Sequence, residues 1–337
     1  MSAAAPILVV STGCPAGIGP EVSVAAALKL KGAVKVLLGD EATLREAAEL
    51  LRVPQRKLVR WDGRSRETSL IHVAQVGDTL AARDRVAGKP NGRAGRAQLE
   101  YIEAGFTLVK SSPRAALVTA PVSKAAIAHS GLARARSFLG HTEWLQELDG
   151  AKTSVMCFWS ERLATSLVTT HLPLAKVPRA LSREGVASAT FELARLLQKL
   201  GKKRPSLAIA SLNPHAGESK LLGGEEARAI APGIVQARKS LGRSAILTGP
   251  LGAETAYRKA STGGFDGVVA MYHDQATIPM KLLAFGDAVN VTAGLSIVRT
   301  SVDHGTAYDI AWQGKADADG MRAALELGAR IVAGRSA

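Results

Sequence analysis

Short apolar runs alternate along the chain with longer stretches whose apolar residues recur at helical spacing. "PILVVS" is followed by "GPEVSVAAALKLK", "VKVLLG" by "EATLREAAELL", and "RAALVTA" by "SKAAIAHS". Further on, "PSLAIASL" precedes "EEARAIAPGIVQARKSL", then come "SAILTG" and "GVVAMY", and "ADGMRAALELGARIVAG" closes the series. This alternation predicts strands joined by helical crossovers, an α/β fold with a mainly parallel sheet. One segment departs from it. "KTSVMCFWSERLATSLVTTHLPLAKV" reads as two strands around a turn at Ser160 to Arg162, an antiparallel element that marks a second subdomain. The chain has no internal repeat or low-complexity segment, and residues 83–96 form the one strongly polar linker candidate.

In a parallel sheet, ligands gather beyond the carboxyl ends of the strands. Nearly every unusual polar cluster stands there: "STGCPAGIGPE", "TAPVSK", "THLPL", "LNPHAGE", "TGPLGAET" and "YHDQ" each follow a predicted strand. Gly13, Gly17 and Gly19 do not follow the G-x-G-x-x-G order, so the usual dinucleotide fingerprint is absent. Asp40 mimics the ribose-binding acid of that fingerprint, but the glycine spacing it should accompany is wrong. The glycine loop therefore keeps two readings, a tight strand-to-helix turn or a ligand-contacting loop.

Composition narrows the class. The chain of 337 residues is 47% hydrophobic and 21% charged, enough for a large core. No apolar run reaches the roughly 20 residues that span a bilayer, so no membrane role is expected. A net charge of +14 invites a nucleic-acid reading, but the basic residues are scattered and aromatics make up only 4%. A basic surface that attracts small anionic substrates fits better than a nucleic-acid partner. Two cysteines, Cys14 and Cys157, are too few for a disulfide framework or a cysteine zinc site and suit a reducing cytosol. The start "MSAAAPILVVSTG" lacks a basic n-region and reads as a first strand, which leads to the expectation of a cytoplasmic protein.

Three of the 7 histidines stand in strand-end loops: His171, His215 and His273. Imidazole suits zinc and other divalent first-row metals, and three neutral ligands leave positions open for substrate and water. His72 and His129 lack such settings and are read as structural. Just after His273, Lys281, Asn290 and Arg299 are candidates to hold phosphate, carboxylate or hydroxyl groups. Arg299 follows the apolar "LSIV", which favours a cleft-facing anion clamp. Asp303, His304, Gly305 and Asp309 crowd a further loop whose polarity fits a ligand-binding turn.

Taken in order, "PAGIGPE", "VTAPVSK", "GHTE", "NPHAGE", "GPLGAET", "AMYHDQ", "VNVTAGL", "RTSVDHGTAYDIA" and "GKAD" resemble the 4-hydroxythreonine-4-phosphate dehydrogenase family of pyridoxine biosynthesis over nearly the whole chain. The resemblance implies an α/β, isocitrate/isopropylmalate dehydrogenase-like fold, which binds NAD(P) without the usual glycine fingerprint. It implies one catalytic unit over 1–337, with two α/β/α subdomains (1–130 with 300–337, and 131–299) and a cleft between them. The implied activity is NAD- or NADP-dependent oxidation of 4-phosphohydroxy-L-threonine, with decarboxylation following. A divalent metal (zinc, magnesium or cobalt) would be ligated by His171, His215 and His273, and the phosphorylated substrate would meet His141, Thr142, Lys281, Asn290 and Arg299. Active sites would be shared in a homodimer, one histidine coming from the partner chain; the expected division sets His171 against His215 and His273. Asp274 would be a nearby acid.

Three positions depart from the family's pattern. Cys14 stands where members usually carry an acid, Glu254 of "GPLGAET" where they carry an aspartate near the metal, and Trp312 where they carry glycine. Glu254, with Asp303, His304, Gly305 and Asp309, is assigned to the cofactor or the metal's surroundings. The alternative within the class is a dehydrogenase of threonate or erythronate 4-phosphate or of a dihydrodiol. Outside it stand an NAD-free binding protein and a basic nucleic-acid binder; the set His171, His215, His273, Lys281 and Arg299 favours an enzyme over both.

Overall fold

The strands and helices expected from the apolar pattern form two compact units, one of residues 1–152 with 295–337, the other of 153–294. They are seen in a computed structural model that describes residues 4–334. The boundaries thus fall at 152/153 and 294/295 rather than at the expected 130/131 and 299/300. The helix begun by His141 packs Trp144 and Leu145 into the first unit's core with Val9, Leu117 and Ile102.

The first unit contains β1 (Ile7–Ser11), α1 (Gly19–Lys29), β2 (Val34–Gly39), α2 (Glu41–Leu50), β3 (Leu58–Arg60), β4 (Ile71–Gln75), α3 (Gly92–Lys110), β5 (Ala115–Thr119), α4 (Lys124–Ala128) and α5 (His141–Asp149). The second contains β6 (Val155–Trp159), β7 (Ala164–Leu167), α6 (Val177–Ala180), α7 (Arg183–Lys199), β8 (Ser206–Ala210), α8 (Ala231–Leu241), β9 (Ile246–Leu251), α9 (Ala253–Ser261), β10 (Gly267–Ala270), α10 (His273–Ala284) and β11 (Val289–Ala293). The chain then returns to the first unit with β12 (Val298–Ser301) and α11 (Asp319–Gly334).

In the first unit the strand order is β3-β4-β2-β1-β5-β12, every pair parallel. β1, β2 and β5 are buried along their whole length, as strands covered on both faces must be. In the second unit the order is β11-β6-β7-β10-β8-β9. There β6 pairs antiparallel with both β7 and β11, while β7, β10, β8 and β9 run parallel. The hairpin expected around Ser160 to Arg162 is thus present as β6 and β7. The polar stretch 83–96 is only partly a linker, because Asn91 accepts the Ala94 N–H at 3.0 Å and starts the long helix α3 at Gly92. Among the described residues, no helix is long and apolar enough to cross a membrane.

Candidate functional site

Two groups of candidate residues emerge, one in each unit. In the second, β7, β10 and β8 are neighbours, so the segments that follow them leave the same sheet edge side by side. These segments carry His171, His273 and His215. Two side chains staple them together. Thr169 donates its hydroxyl to the Met271 carbonyl at 2.7 Å, and Gln275 accepts the Met271 N–H at 2.6 Å while donating to the Ser211 carbonyl at 2.8 Å. His273 is not in a loop, as its polar neighbours suggested, but opens α10 directly after Tyr272.

The His171 and His273 rings lie 5.6 Å apart, centre to centre. Two imidazoles bonded at about 2.0–2.1 Å to one tetrahedral ion hold their centres roughly 5 Å apart, so the pair fits a shared ion. Asp274 Oδ1 lies 2.7 Å from His273 Nδ1. An ionised carboxylate only accepts, so in the neutral ring Nδ1 carries the proton and Nε2 keeps its lone pair for a metal. Among the described residues, no group of three or more His, Cys, Asp or Glu side chains in one chain could hold a metal ion. His215 therefore stands apart from this pair. β7 and β10 are hydrogen-bonded neighbours, which brings His171 and His273 of one chain together.

His215 rides on an unusual turn. Residues 215–219 all have positive φ, between 41° and 80°, a region that costs L-residues roughly 1–2 kcal/mol each. Only Gly217 is free of that cost. The turn is held from behind by Glu226, which accepts the N–H groups of Leu212 and Asn213 at 3.0 and 2.8 Å and the Asn213 amide at 3.0 Å. Glu225 takes the same Asn213 amide at 2.8 Å. Sequence reasoning missed Asn213 and Glu226, although "LNPHAGE" placed Asn213 in the right loop.

In the first unit, Arg299 of β12 is almost wholly buried, 3% exposed. Its Nε and Nη2 donate to the Thr119 hydroxyl at 3.2 and 2.7 Å. Burial lowers its pKa to about 9, opposed by the Glu143 carboxylate, which leaves it charged at neutral pH. His141 opens α5, and its Nε2 is sealed from solvent without a hydrogen-bond partner. Burial, then Arg299, then Lys124 push its pKa well below the ordinary histidine value. Thr142 is the next residue of the same helix. In the second unit, Asn290 of β11 also keeps a buried Oδ1 without a partner, and Lys281 lies in α10.

The glycine loop and the 303–314 segment are zipped together. The Ile18 N–H meets the Thr306 carbonyl at 3.1 Å, and a Cβ on Gly17 would lie 2.9 Å from that same oxygen. Gly13 and Gly19 are equally confined, against the Pro121 and Thr12 carbonyls. Close packing thus accounts for these glycines. Buried Glu21 accepts the N–H groups of Trp312 and Gly314 at 2.6 and 3.0 Å, and Trp312 donates its indole N–H to the Pro15 carbonyl at 2.9 Å. These bonds hold Trp312 at φ 60°, a conformation that suits the family's glycine better. Cys14 is buried 3.6 Å from the Tyr308 hydroxyl, and burial raises its thiol pKa, so it stays protonated. His304 turns its Nδ1 to the Gly305 carbonyl at 3.1 Å, and the Asp309 carbonyl accepts from Gln313.

Two acids are spent locally. Asp40 accepts from the Thr43 N–H and hydroxyl and from the Leu80 N–H, which makes it the cap of α2. Glu254 bonds Thr255 and Arg258 of its own helix; these two hold its carboxyl below the usual range.

The family described as "Pyridoxal phosphate biosynthetic protein PdxA" matches residues 31–328. The chain belongs to the PdxA family. A PdxA-family relative from Geobacter metallireducens, named 4-hydroxythreonine-4-phosphate dehydrogenase, is 40% identical over 97% of this chain and 96% of its own. A relative from Salmonella typhimurium named D-threonate 4-phosphate dehydrogenase is 36% identical over 96% of this chain and 98% of its own. The crystal structure of 4-hydroxythreonine-4-phosphate dehydrogenase from Klebsiella pneumoniae superposes with a TM-score of 0.85, at 36% identity over 97% of this chain and 99% of that one. These matches make the chain a PdxA-family enzyme with an α/β dehydrogenase fold.

Proposed function

We propose that the chain oxidises 4-phosphohydroxy-L-threonine with NAD+ or NADP+. The C3 hydroxyl loses its proton and C3 passes hydride to the nicotinamide, giving 2-amino-3-oxo-4-(phosphooxy)butanoate. The C1–C2 bond then breaks, carbon dioxide leaves and a proton adds at C2, giving 3-amino-2-oxopropyl phosphate. The observation that carries this reading is the buried, unpartnered Nε2 of His141 beside buried Arg299, polar groups prepared for an anion before it arrives. Thr142 and Lys281 add donors for the phosphorylated substrate, and Asn290 Oδ1 adds an acceptor for one of its N–H or O–H groups.

His171 and His273 of one chain, with His215 of a second, would hold a divalent ion: zinc, magnesium or cobalt. Such an ion supplies a Lewis acid that polarises the substrate's oxygen. Asp274 fixes the His273 ring for that purpose. A homodimer with shared sites is supported by apolar side chains left in water on α10 and at its end: Ile278 and Leu282 are 58% and 80% exposed, and Phe285, the residue after the helix, 86%. Leu221, just beyond the His215 turn, is 81% exposed. The segment with Asp303, His304, Gly305 and Asp309 is assigned to the nicotinamide cofactor, and Glu254 to the surroundings of the metal. Two buried free cysteines suit the cytoplasm.

The test is a panel of 4-phosphohydroxy-L-threonine, D-threonate 4-phosphate, D-erythronate 4-phosphate and a cis-dihydrodiol, each with NAD+ and NADP+ and each metal. The highest kcat/KM is expected for 4-phosphohydroxy-L-threonine. A higher value for either sugar-acid phosphate or for the dihydrodiol would replace this substrate.

A further inference from the structure

β5 ends at Thr119, the residue that accepts from Arg299, and five residues later Lys124 opens α4. A Cβ placed on Gly140 would lie 3.7 Å from Lys124 Nζ and 3.0 Å from Glu143 Oε2, which brings the ammonium to the start of α5, where His141 stands. The Lys124 side chain is exposed and, among the described residues, makes no hydrogen bond or ion pair. Its charge still reaches the imidazole, as one of the causes that keep His141 unprotonated. Lys124 and Arg299 both disfavour a proton on His141, and against the single Glu143 carboxylate the two cations leave an excess of positive charge that favours an arriving anion. A Cβ on Gly140 would be tight only against Glu143 Oε2, whereas Lys124 Nζ lies at ordinary contact distance from it.

We propose that Lys124 is a further contact to the substrate's phosphate, folding its mobile ammonium onto the anion that His141 and Arg299 meet, and that it sets the preference for phosphorylated over unphosphorylated substrate. This rests on the assignment of His141 and Arg299 to that phosphate. The fit is a division of labour. Arg299, locked by Thr119, is a fixed fork, whereas Lys124, on a flexible stem, adapts to a doubly charged group once it arrives.

The probe is inorganic phosphate, titrated into the full-length protein while the His141 ring signals are followed by NMR, alongside steady-state kinetics. Wild-type phosphate binding should shift the His141 signals and raise that residue's pKa. Lys124→Met should weaken phosphate binding roughly tenfold to a hundredfold, the range for one charge-assisted contact. KM for the phosphorylated substrate should rise by a similar factor with kcat little changed, the mark of uniform binding. Lys124→Arg should recover most of the loss, which a purely structural role would not produce. Arg299→Lys serves as the control. Phosphate affinity lost in Arg299→Lys but unchanged in Lys124→Met overturns the Lys124 assignment and leaves the anion site standing. Affinity unchanged in both variants overturns the anion site, and Lys124 with it.

Discussion

At the scale of single residues, charge and burial decide which side chains are prepared for chemistry. His141 is held neutral by burial first and by Arg299 and Lys124 after it. An unfolded histidine takes up its proton near pH 6.5. The folded state refuses that proton, so stability falls as pH drops below about 6.5 toward the lower folded value, by up to about 1.4 kcal/mol per pH unit. We therefore expect the His141 ring to remain unprotonated at pH 5.5 by NMR. Urea midpoints measured at pH 7.5 and 5.5 should fall further for wild type than for His141→Gln. An ordinary titration near pH 6.5 would remove the electrostatic coupling claimed for this cluster. Legibility at this scale was uneven. Asp40 could be dismissed from its glycine spacing, and its bonds from Thr43 and from the distant Leu80 show why it is occupied. His141, by contrast, was visible only through the family resemblance, since nothing in "GHTE" reveals that a strand 158 positions later supplies the arginine beside it.

At the scale of elements, apolar periodicity located eight of the twelve described strands, because burial on both faces of a sheet leaves a direct trace in sequence, but only five of the eleven described helices. It misread the start of α10. Four polar-capable residues after β10 look like a loop, yet Gln275 turns back to the Met271 N–H and across to the Ser211 carbonyl, bonds that no local pattern encodes. The left-handed turn at 215–219 was equally hidden, because four of its five residues are not glycine. Its persistence requires an outside restraint, and Glu226 supplies one. Glu226→Ala should therefore leave the Leu212 and Asn213 amides without their acceptor and cost about 1–3 kcal/mol. Hydrogen exchange should accelerate across 212–220 while β8 and β10 keep their protection. Unchanged exchange in that stretch would mean that the turn holds itself, and that Glu226 does not position His215.

At the scale of the whole molecule, the three histidines leave neighbouring strands, but only His171 and His273 meet within a chain. A dimer with shared sites then has one site made from the His171–His273 pair of the first chain with His215 of the second, and another made the opposite way round. Mixing His215→Ala with His273→Ala and allowing subunits to exchange should restore activity. One site in each mixed dimer collects both defects and the other collects none. Random pairing makes half the dimers mixed, so recovery should approach about a quarter of wild-type activity. Mixing His171→Ala with His273→Ala should restore nothing, since each site then keeps one broken member of the pair. The opposite pattern, recovery in the second mixture and none in the first, would mean that His171 faces His215 and His273 across the dimer. Recovery in neither, with mixed dimers verified by mass spectrometry, would place all three ligands on one chain or couple the two sites too tightly for one to work alone.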